Sequence, residues 1–219
     1  TPPAPAAAEP GTTVEVRDLF FATPARLKFL KAARTEFGHA VDVIHRLAMA
    51  HPEIAFSLSD GQRAAVRLGA TNGDIFARRL DRLSQIMGRD FAANALRVDA
   101  QREDITLTGY IGLPTLNRRT ASYQFFFVNG RPVRDKQLFG AVRGAYMDFL
   151  AHDRHPLLAL FIDLPPTQVD VNVHPAKTEV RFREPGMVRG LIVGALKQAL
   201  ADAGHRSATS ASTAALGAL

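Results

Sequence analysis

The sequence has 219 residues, 47% hydrophobic and 22% charged, with a formal net charge of +6 and neither cysteine nor tryptophan. That apolar share supports a core for one large domain or two modest ones and excludes disorder by composition, while the missing cysteines exclude disulfides, thiolate metal sites and a catalytic thiol. The apolar run Leu157–Leu164 contains Asp163 and falls far short of the roughly 20 residues of a membrane span, and the Pro-rich start has no cation ahead of an apolar block. The expectation is a soluble, cytoplasmic protein without a membrane partner.

In chain order, residues 1–10 are Pro- and Ala-rich and read as linker. Thr12–Leu19 alternates, with Val14 and Val16 opposite Thr13, Glu15 and Arg17, which predicts a half-buried strand. Pro24-Ala25-Arg26 reads as a helix start with proline in the first turn. Phe37, Ala40, Val41, Ile44, Leu47 and Ala48 keep helical spacing until Pro52, and Ile54, Phe56 and Leu58 then pair through Asp60-Gly61 with Val66 and Leu68 as a hairpin.

Thr71-Asn72-Gly73 forms a joint near residue 72. A helix over about 74–87 follows, with Ile75, Phe76, Leu80, Leu83 and Met87 on its apolar face and Arg78, Arg79 and Arg82 off it. Strands are expected near 96–100 and 105–111, turning through Arg102-Glu103-Asp104. Phe125–Val128 is continuously apolar, the mark of a strand covered on both faces. A helix over 136–150, burying Leu138, Phe139, Val142, Ala145, Tyr146 and Phe149, leads to a second such strand at 157–164, giving a β-α-β unit. Val169, Val171 and Val173 alternate up to Pro175, Val180 and Phe182 alternate beyond it, and a helix over 186–203 precedes an Ala-, Ser- and Thr-rich linker at 205–219. The fold class is mixed α/β (α+β).

Between Asn117 and Arg143 stand Arg118, Arg119, Arg131, Arg134, Lys136 and Arg143 against the single acid Asp135, a clustering that suits a polyanion. No Walker loop, GxGxxG, GxSxG or HExxH occurs. His152, Asp153 and His155 read as a solvated loop before proline rather than metal ligands, and the six-residue spacing of His39, His45 and His51 does not put them on one helical face.

Three segments carry a resemblance: Gly11-Thr12-Thr13-Val14-Glu15-Val16-Arg17-Asp18-Leu19-Phe20-Phe21-Ala22-Thr23-Pro24-Ala25-Arg26-Leu27-Lys28-Phe29-Leu30, Phe127-Val128-Asn129-Gly130-Arg131-Pro132-Val133-Arg134-Asp135, and Val169-Asp170-Val171-Asn172-Val173-His174-Pro175-Ala176-Lys177-Thr178-Glu179-Val180-Arg181-Phe182. In this order and at these separations they resemble the MutL family of DNA mismatch repair proteins over roughly residues 11–200.

The resemblance implies the end of a Bergerat-type ATPase lobe at 11–72 and a ribosomal protein S5 domain 2-like transducer domain at 73–204, with a left-handed β-α-β crossover where base rate favours the right hand. It also implies a fragment. The family's catalytic glutamate, magnesium-binding asparagine, adenine-reading aspartate and glycine-rich lid belong upstream of Gly11-Thr12, so no catalytic or metal-binding residue is assigned here, and ATP and Mg are cofactors of the intact protein only.

By the same match, Lys177 reaches the ATP γ-phosphate and Thr12 or Thr13 lines the nucleotide site, a plain strand role standing beside the latter. Lys136, Arg134 and Arg131, following the tight Asn129-Gly130 turn, are assigned to DNA. The implied partners are double- and single-stranded DNA, a MutS-type mismatch recognition protein and a second copy in a homodimer, with a nucleoid-associated place in the bacterial cytoplasm. Two rivals remain at this point. One is the transducer domain of a type II topoisomerase ATPase subunit, whose lysine stands in a Gln-Thr-Lys context rather than His174-Pro175-Ala176-Lys177, and the other is an S5-like RNA-binding module.

Overall fold

Residues up to Ala40 and those from Val41 onward make two compact units in the structure, a computed structural model that describes residues 10–173 and 177–216, with side chains placed as far as Gly204. Residues 1–9 of the expected linker, His174-Pro175-Ala176 and residues 217–219 lie outside the described residues. In the first unit the strand expected over Thr12–Leu19 does not form, and Val14 and Val16 are 82% and 73% exposed. Alternation produces a strand only where a neighbour takes its ladder hydrogen bonds and covers one face, and the described residues supply neither. Pro24–Phe29 winds into a short 3-10 turn with proline at its start.

Helix α1 (Ala33–Ala50) leads to a hairpin of β1 (Phe56–Ser59) and β2 (Ala64–Leu68), as the alternation predicts. There follow α2 (Ile75–Met87), short α3 (Arg89–Ala93), β3 (Ala95–Arg102), β4 (Ile105–Gly112), β5 (Asn117–Arg118), β6 (Gln124–Val128), β7 (Arg131–Val133), α4 (Lys136–Tyr146), β8 (His155–Pro156), β9 (Leu158–Asp163), β10 (Val169–Asp170), β11 (Arg181–Phe182) and α5 (Pro185–Leu216). Asp74 starts α2 by accepting the Ala77 N–H at 2.9 Å, and Gly88 ends it with φ +98°.

The main sheet has the order β3-β4-β9-β6-β7. Its pairs are antiparallel except β6 with β9, which run parallel on either side of α4 and so form the expected β-α-β unit. The period of two along β6 and β9 sends Phe126, Val128, Leu158, Leu160 and Ile162 to a core shared with α4 and α5. Phe125, Phe127, Ala159 and Phe161 join a second core with Leu83, Met87 and Phe91 from α2 and α3. Both apolar runs are therefore covered on both faces, which is why they carry no polar alternation. Where β4 meets β9, a Cβ on Gly109 would lie 2.2 Å from the Ala159 carbonyl oxygen, at φ +137°, so this register requires glycine.

Three expectations need correction. α4 stops at Tyr146 rather than running to Leu150, and Phe149 is 49% exposed, since Tyr146 completes the buried face. The backbone of α5 stays helical to Leu216 although apolar periodicity ends at Ala203, because the alanine-rich continuation has high intrinsic helix propensity. Finally, Arg82 is wholly buried on α2, and Arg79 lies over the Phe161 ring at 3.7 Å. The helical wheel places both off the apolar face, yet long stems let arginine bury its methylenes while its head seeks carbonyls or rings.

Candidate nucleotide and nucleic-acid site

Asn129 and Gly130 form the turn between β6 and β7, with φ +47° and +74°. Both values suit the two-residue hairpin turn that Asn-Gly favours. The Asn129 side chain also staples this turn to the end of β9: its Nδ2 donates to the Leu164 carbonyl at 2.9 Å, its Oδ1 accepts the Leu164 N–H at 3.0 Å, and its backbone N–H donates to Ile162. The basic segment that follows thus starts from a fixed corner.

Arg131 on β7, Arg134 beyond it and Lys136 opening α4 are all exposed, while Val133 between them is buried and anchors the strand. Asp135, the one acid of the stretch, is buried, and its Oδ1 accepts the N–H groups of Gln137 at 2.8 Å and Leu138 at 3.4 Å. Its charge caps α4 and is turned away from the neighbouring cations. Lys136 stands at the first position of α4, the end where the helix dipole disfavours a cation. Its placement there gains the helix nothing, so its charge is free to serve a ligand.

Lys177 lies on the loop between β10 and β11, exposed and at φ +51°, a left-handed conformation uncommon for a side-chain-bearing residue. Val180 and Phe182 just beyond are buried and pin the returning strand. The Arg134 N–H donates to the Thr178 carbonyl at 2.6 Å, so the lysine loop and the basic segment are joined by a backbone hydrogen bond. Arg131, Arg134, Lys136 and Lys177 consequently belong to one rim of the second unit. Thr12 and Thr13 belong to the first unit, exposed and outside any strand.

A cavity of about 520 Å³ lies beside α4 and the 150–156 loop, lined by Phe139, Tyr146, Leu150, Arg143, His152 and Arg154 among others. Arg143 Nη2 and His152 Nδ1 are 2.9 Å apart, and the Tyr146 hydroxyl donates to the Gly112 carbonyl at 2.7 Å, with burial raising its pKa well above the ordinary phenol value. The described residues contain no group of three His, Asp or Glu side chains fit to hold a metal ion, and no described helix is long and apolar enough to cross a membrane. Sequence reasoning missed the Asn129 staple and the position of Arg189 on α5, whose guanidinium lies 3.6 Å from where a Gly144 Cβ would stand. The spacing of Gly140 and Gly144 on one face of α4 was the only sequence sign of the latter.

The family model for the DNA mismatch repair protein, C-terminal domain, matches residues 83–201, more than half of the chain. The MutL DNA mismatch repair protein of Rhodospirillum rubrum is 65% identical over 99% of this chain and 34% of its own length. The chain spans about a third of the length of the curated relatives it matches. Among solved structures, the N-terminal domain of a DNA repair protein shares the fold with a TM-score of 0.64 at 23% identity, covering 84% of this chain and 59% of that one. The Aquifex aeolicus MutL ATPase domain complexed with ADP superposes with a TM-score of 0.53 at 25% identity, covering 81% of this chain and 55% of that one. These matches leave the topoisomerase reading the less supported one, and the chain belongs to the MutL family of DNA mismatch repair proteins.

Proposed function

We propose that this chain serves ATP-dependent DNA mismatch repair as part of a MutL-type coordinator, which links mismatch recognition by a MutS-type protein to strand incision and removal. In this reading residues 11–72 are the end of the ATPase lobe and 73–204 the S5-like transducer domain. The intact protein uses ATP and Mg, dimerises with a second copy around double- or single-stranded DNA, and works on the nucleoid in the bacterial cytoplasm.

The observation that carries the reading is the hydrogen bond from the Arg134 N–H to the Thr178 carbonyl, which fastens the loop of Lys177 to the segment of Arg131, Arg134 and Lys136. A lysine that engages the γ-phosphate of ATP is by this link coupled to the cations that meet DNA phosphates. Such a contact forms with triphosphate and is lost after hydrolysis, giving a two-state element that both ligands bias. The residues fit one part of the nucleotide only: an exposed ammonium suits a phosphate oxygen. No step is assigned to a metal ion, since the described residues hold no such ligand group.

The test is Lys177→Ala in the intact protein, with ATP turnover and thermal melting measured together. Turnover should fall substantially while the melting temperature stays within a degree or so, because the side chain is exposed. Normal turnover would refute the γ-phosphate role, and a collapsed melting temperature would make Lys177 a structural residue.

A further inference from the structure

A second cationic feature adjoins the rim without belonging to either segment that the sequence singles out. A groove of about 370 Å³ runs between α4 and the first turn of α5, lined by Lys136, Gln137, Gly140, Pro185, Gly186 and Arg189. It holds two cations, an amide and no acid. Lys136, Gly140 and Gly144 recur every four residues and so share one face of α4. The Arg189 guanidinium lies across that face: its Nη1 is 4.0 Å from the point a Gly140 Cβ would occupy, and its Nη2 is 3.6 Å from that of Gly144.

Two glycines inside one helix cost about 1 kcal/mol each relative to alanine, so an interior Gly-x-x-x-Gly calls for a reason in packing or function. Here the Arg189 guanidinium lies at ordinary contact distance over both glycines. Arg189 nevertheless remains exposed and makes no ion pair or side-chain hydrogen bond among the described residues. Nearby acids are otherwise engaged: Asp135 caps α4, and Asp148 pairs with Lys197 at 3.4 Å. Glu184, exposed at the start of α5, is the one acid close in sequence that no ion pair holds among the described residues. An unpaired guanidinium lining an acid-free groove beside a lysine offers the fork of donors that phosphate oxygens accept.

We propose that Arg189 contacts the nucleic-acid backbone, extending the row of Arg134 and Lys136 into the groove between α4 and α5. The inference rests on the reading of Arg134 and Lys136 as DNA contacts. Its occupant is a phosphate of a DNA duplex, bound without regard to base sequence, because paired cations of this kind meet phosphate oxygens, which position a duplex without reading it.

The experiment is a salt titration of binding between the full chain and a fluorescently labelled duplex of unrelated sequence, followed by anisotropy. Arg189→Ala should raise Kd roughly three- to tenfold near 0.1 M salt and lower the slope of log K against log salt by about one unit. Arg189→Lys should keep the slope, since the charge remains, with only part of the affinity lost. Gly144→Ala adds a methyl group at ordinary contact distance from the guanidinium and changes no charge, so its slope and affinity should stay near wild type, with the melting temperature unchanged or higher.

An Arg189→Ala protein with wild-type Kd and slope, alongside an Arg134→Ala Lys136→Ala protein that binds poorly, would overturn the Arg189 contact and leave the first reading standing. If all variants bind as wild type does, or the wild type binds no duplex, both readings fall. Should Arg189→Ala melt early, Arg189→Lys decides, because it keeps the charge and loses the fork: a backbone contact predicts a partial loss of affinity, a purely packing arginine none.

Discussion

Two groups of arginines in this chain, alike in sequence, meet opposite fates. Arg78, Arg79 and Arg82 on α2 are drawn inward, while Arg131 and Arg134, with Lys136, stay in solvent. Two of the inward three have specific partners, while the buried Nε of Arg78 has no hydrogen-bond partner in the described structure. Arg82 donates through Nη2 to the carbonyls of Pro52 at 2.9 Å and Ile54 at 2.7 Å, tying α2 to the chain that enters the β1–β2 hairpin. Arg79 lies over Phe161 and donates to the Thr108 hydroxyl at 2.7 Å. The outward group makes no ion pair among the described residues. Positive charge in a sequence is therefore ambiguous until each head group is traced. Arg79 and Arg82 serve as rigid multivalent donors to backbone, hydroxyl and ring, while Arg131, Arg134 and Lys136 stay exposed.

The comparison breaks most sharply at Arg82. Arg82→Ala strands the Ile54 carbonyl, leaves Pro52 to its Thr71 donors and opens a cavity, and should cost about 2–4 kcal/mol, seen as a drop of roughly 5–15 °C in melting temperature. Arg82→Met retains much of the stem and should recover part of that loss. If the alanine variant melts within a degree of wild type, the inward group is no more structural than the outward one. The Nε of Arg82 and the Nη1 of Arg46 have no hydrogen-bond partner in the described structure, so these residues hold their sites at a desolvation cost that the carbonyl and ring contacts offset.

Arg79→Ala should cost less, about 1–2 kcal/mol, because it removes one ring contact and one hydroxyl bond. Burial pushes the Arg79 pKa down while Asp163 pulls it back up, and the group stays a cation throughout the physiological range. Urea unfolding of Arg79→Ala beside Arg79→Lys separates the contributions, since lysine keeps the charge and loses the flat stacking surface.

His45, beside Arg46 on α1, tests the same interior with a smaller charge change. Partial burial holds its pKa below the ordinary imidazole value, with Asp42 opposing the shift. The unfolded chain therefore takes up a proton more readily than the folded one as pH falls through about 6.5, and stability should decline over that interval. Melting temperatures from pH 7.5 down to pH 5.5 should fall less steeply for His45→Gln than for wild type. Equal slopes would show that this side of the molecule tolerates an added cation as readily as the outer rim does.

The divide between what the sequence shows and what it hides follows the range of the forces involved. Asn129-Gly130, the double-faced runs of β6 and β9, the hairpin before Gly69 and the helix started by Asp74 rest on local chemistry within a few residues, and each is legible. The strand expected over Thr12–Leu19 depends on a partner edge, which alternation cannot supply. Likewise Arg79 and Arg82 were assigned by angle on a helical wheel, although stems of several ångströms let their heads cross to another face. At the candidate site the basic cluster was visible as charge, and Lys177 stood out only through the motif around it. The hydrogen bond joining the two, from Arg134 to Thr178, spans a sequence distance at which no pattern speaks.

Lys136 gives the smallest effect on stability and the clearest separation of the two groups, because its sign should reverse. It occupies the first position of α4, whose N-terminal amides carry partial positive charge, and the buried Asp135 carboxylate already caps two of them. Replacing a cation there removes a repulsion, and an anion adds an attraction, so Lys136→Ala should be neutral to slightly stabilising and Lys136→Glu should gain about 0.3–0.5 kcal/mol, screened by salt. Binding to a DNA duplex should move the other way: the alanine variant should lose about one unit of salt slope, and the glutamate variant should bind more weakly still at low salt. A change that strengthens the fold while weakening binding is one that no structural role for the lysine predicts. If Lys136→Glu instead lowers the melting temperature and leaves duplex affinity intact, Lys136 belongs with the inward arginines and the DNA surface lies elsewhere on the chain.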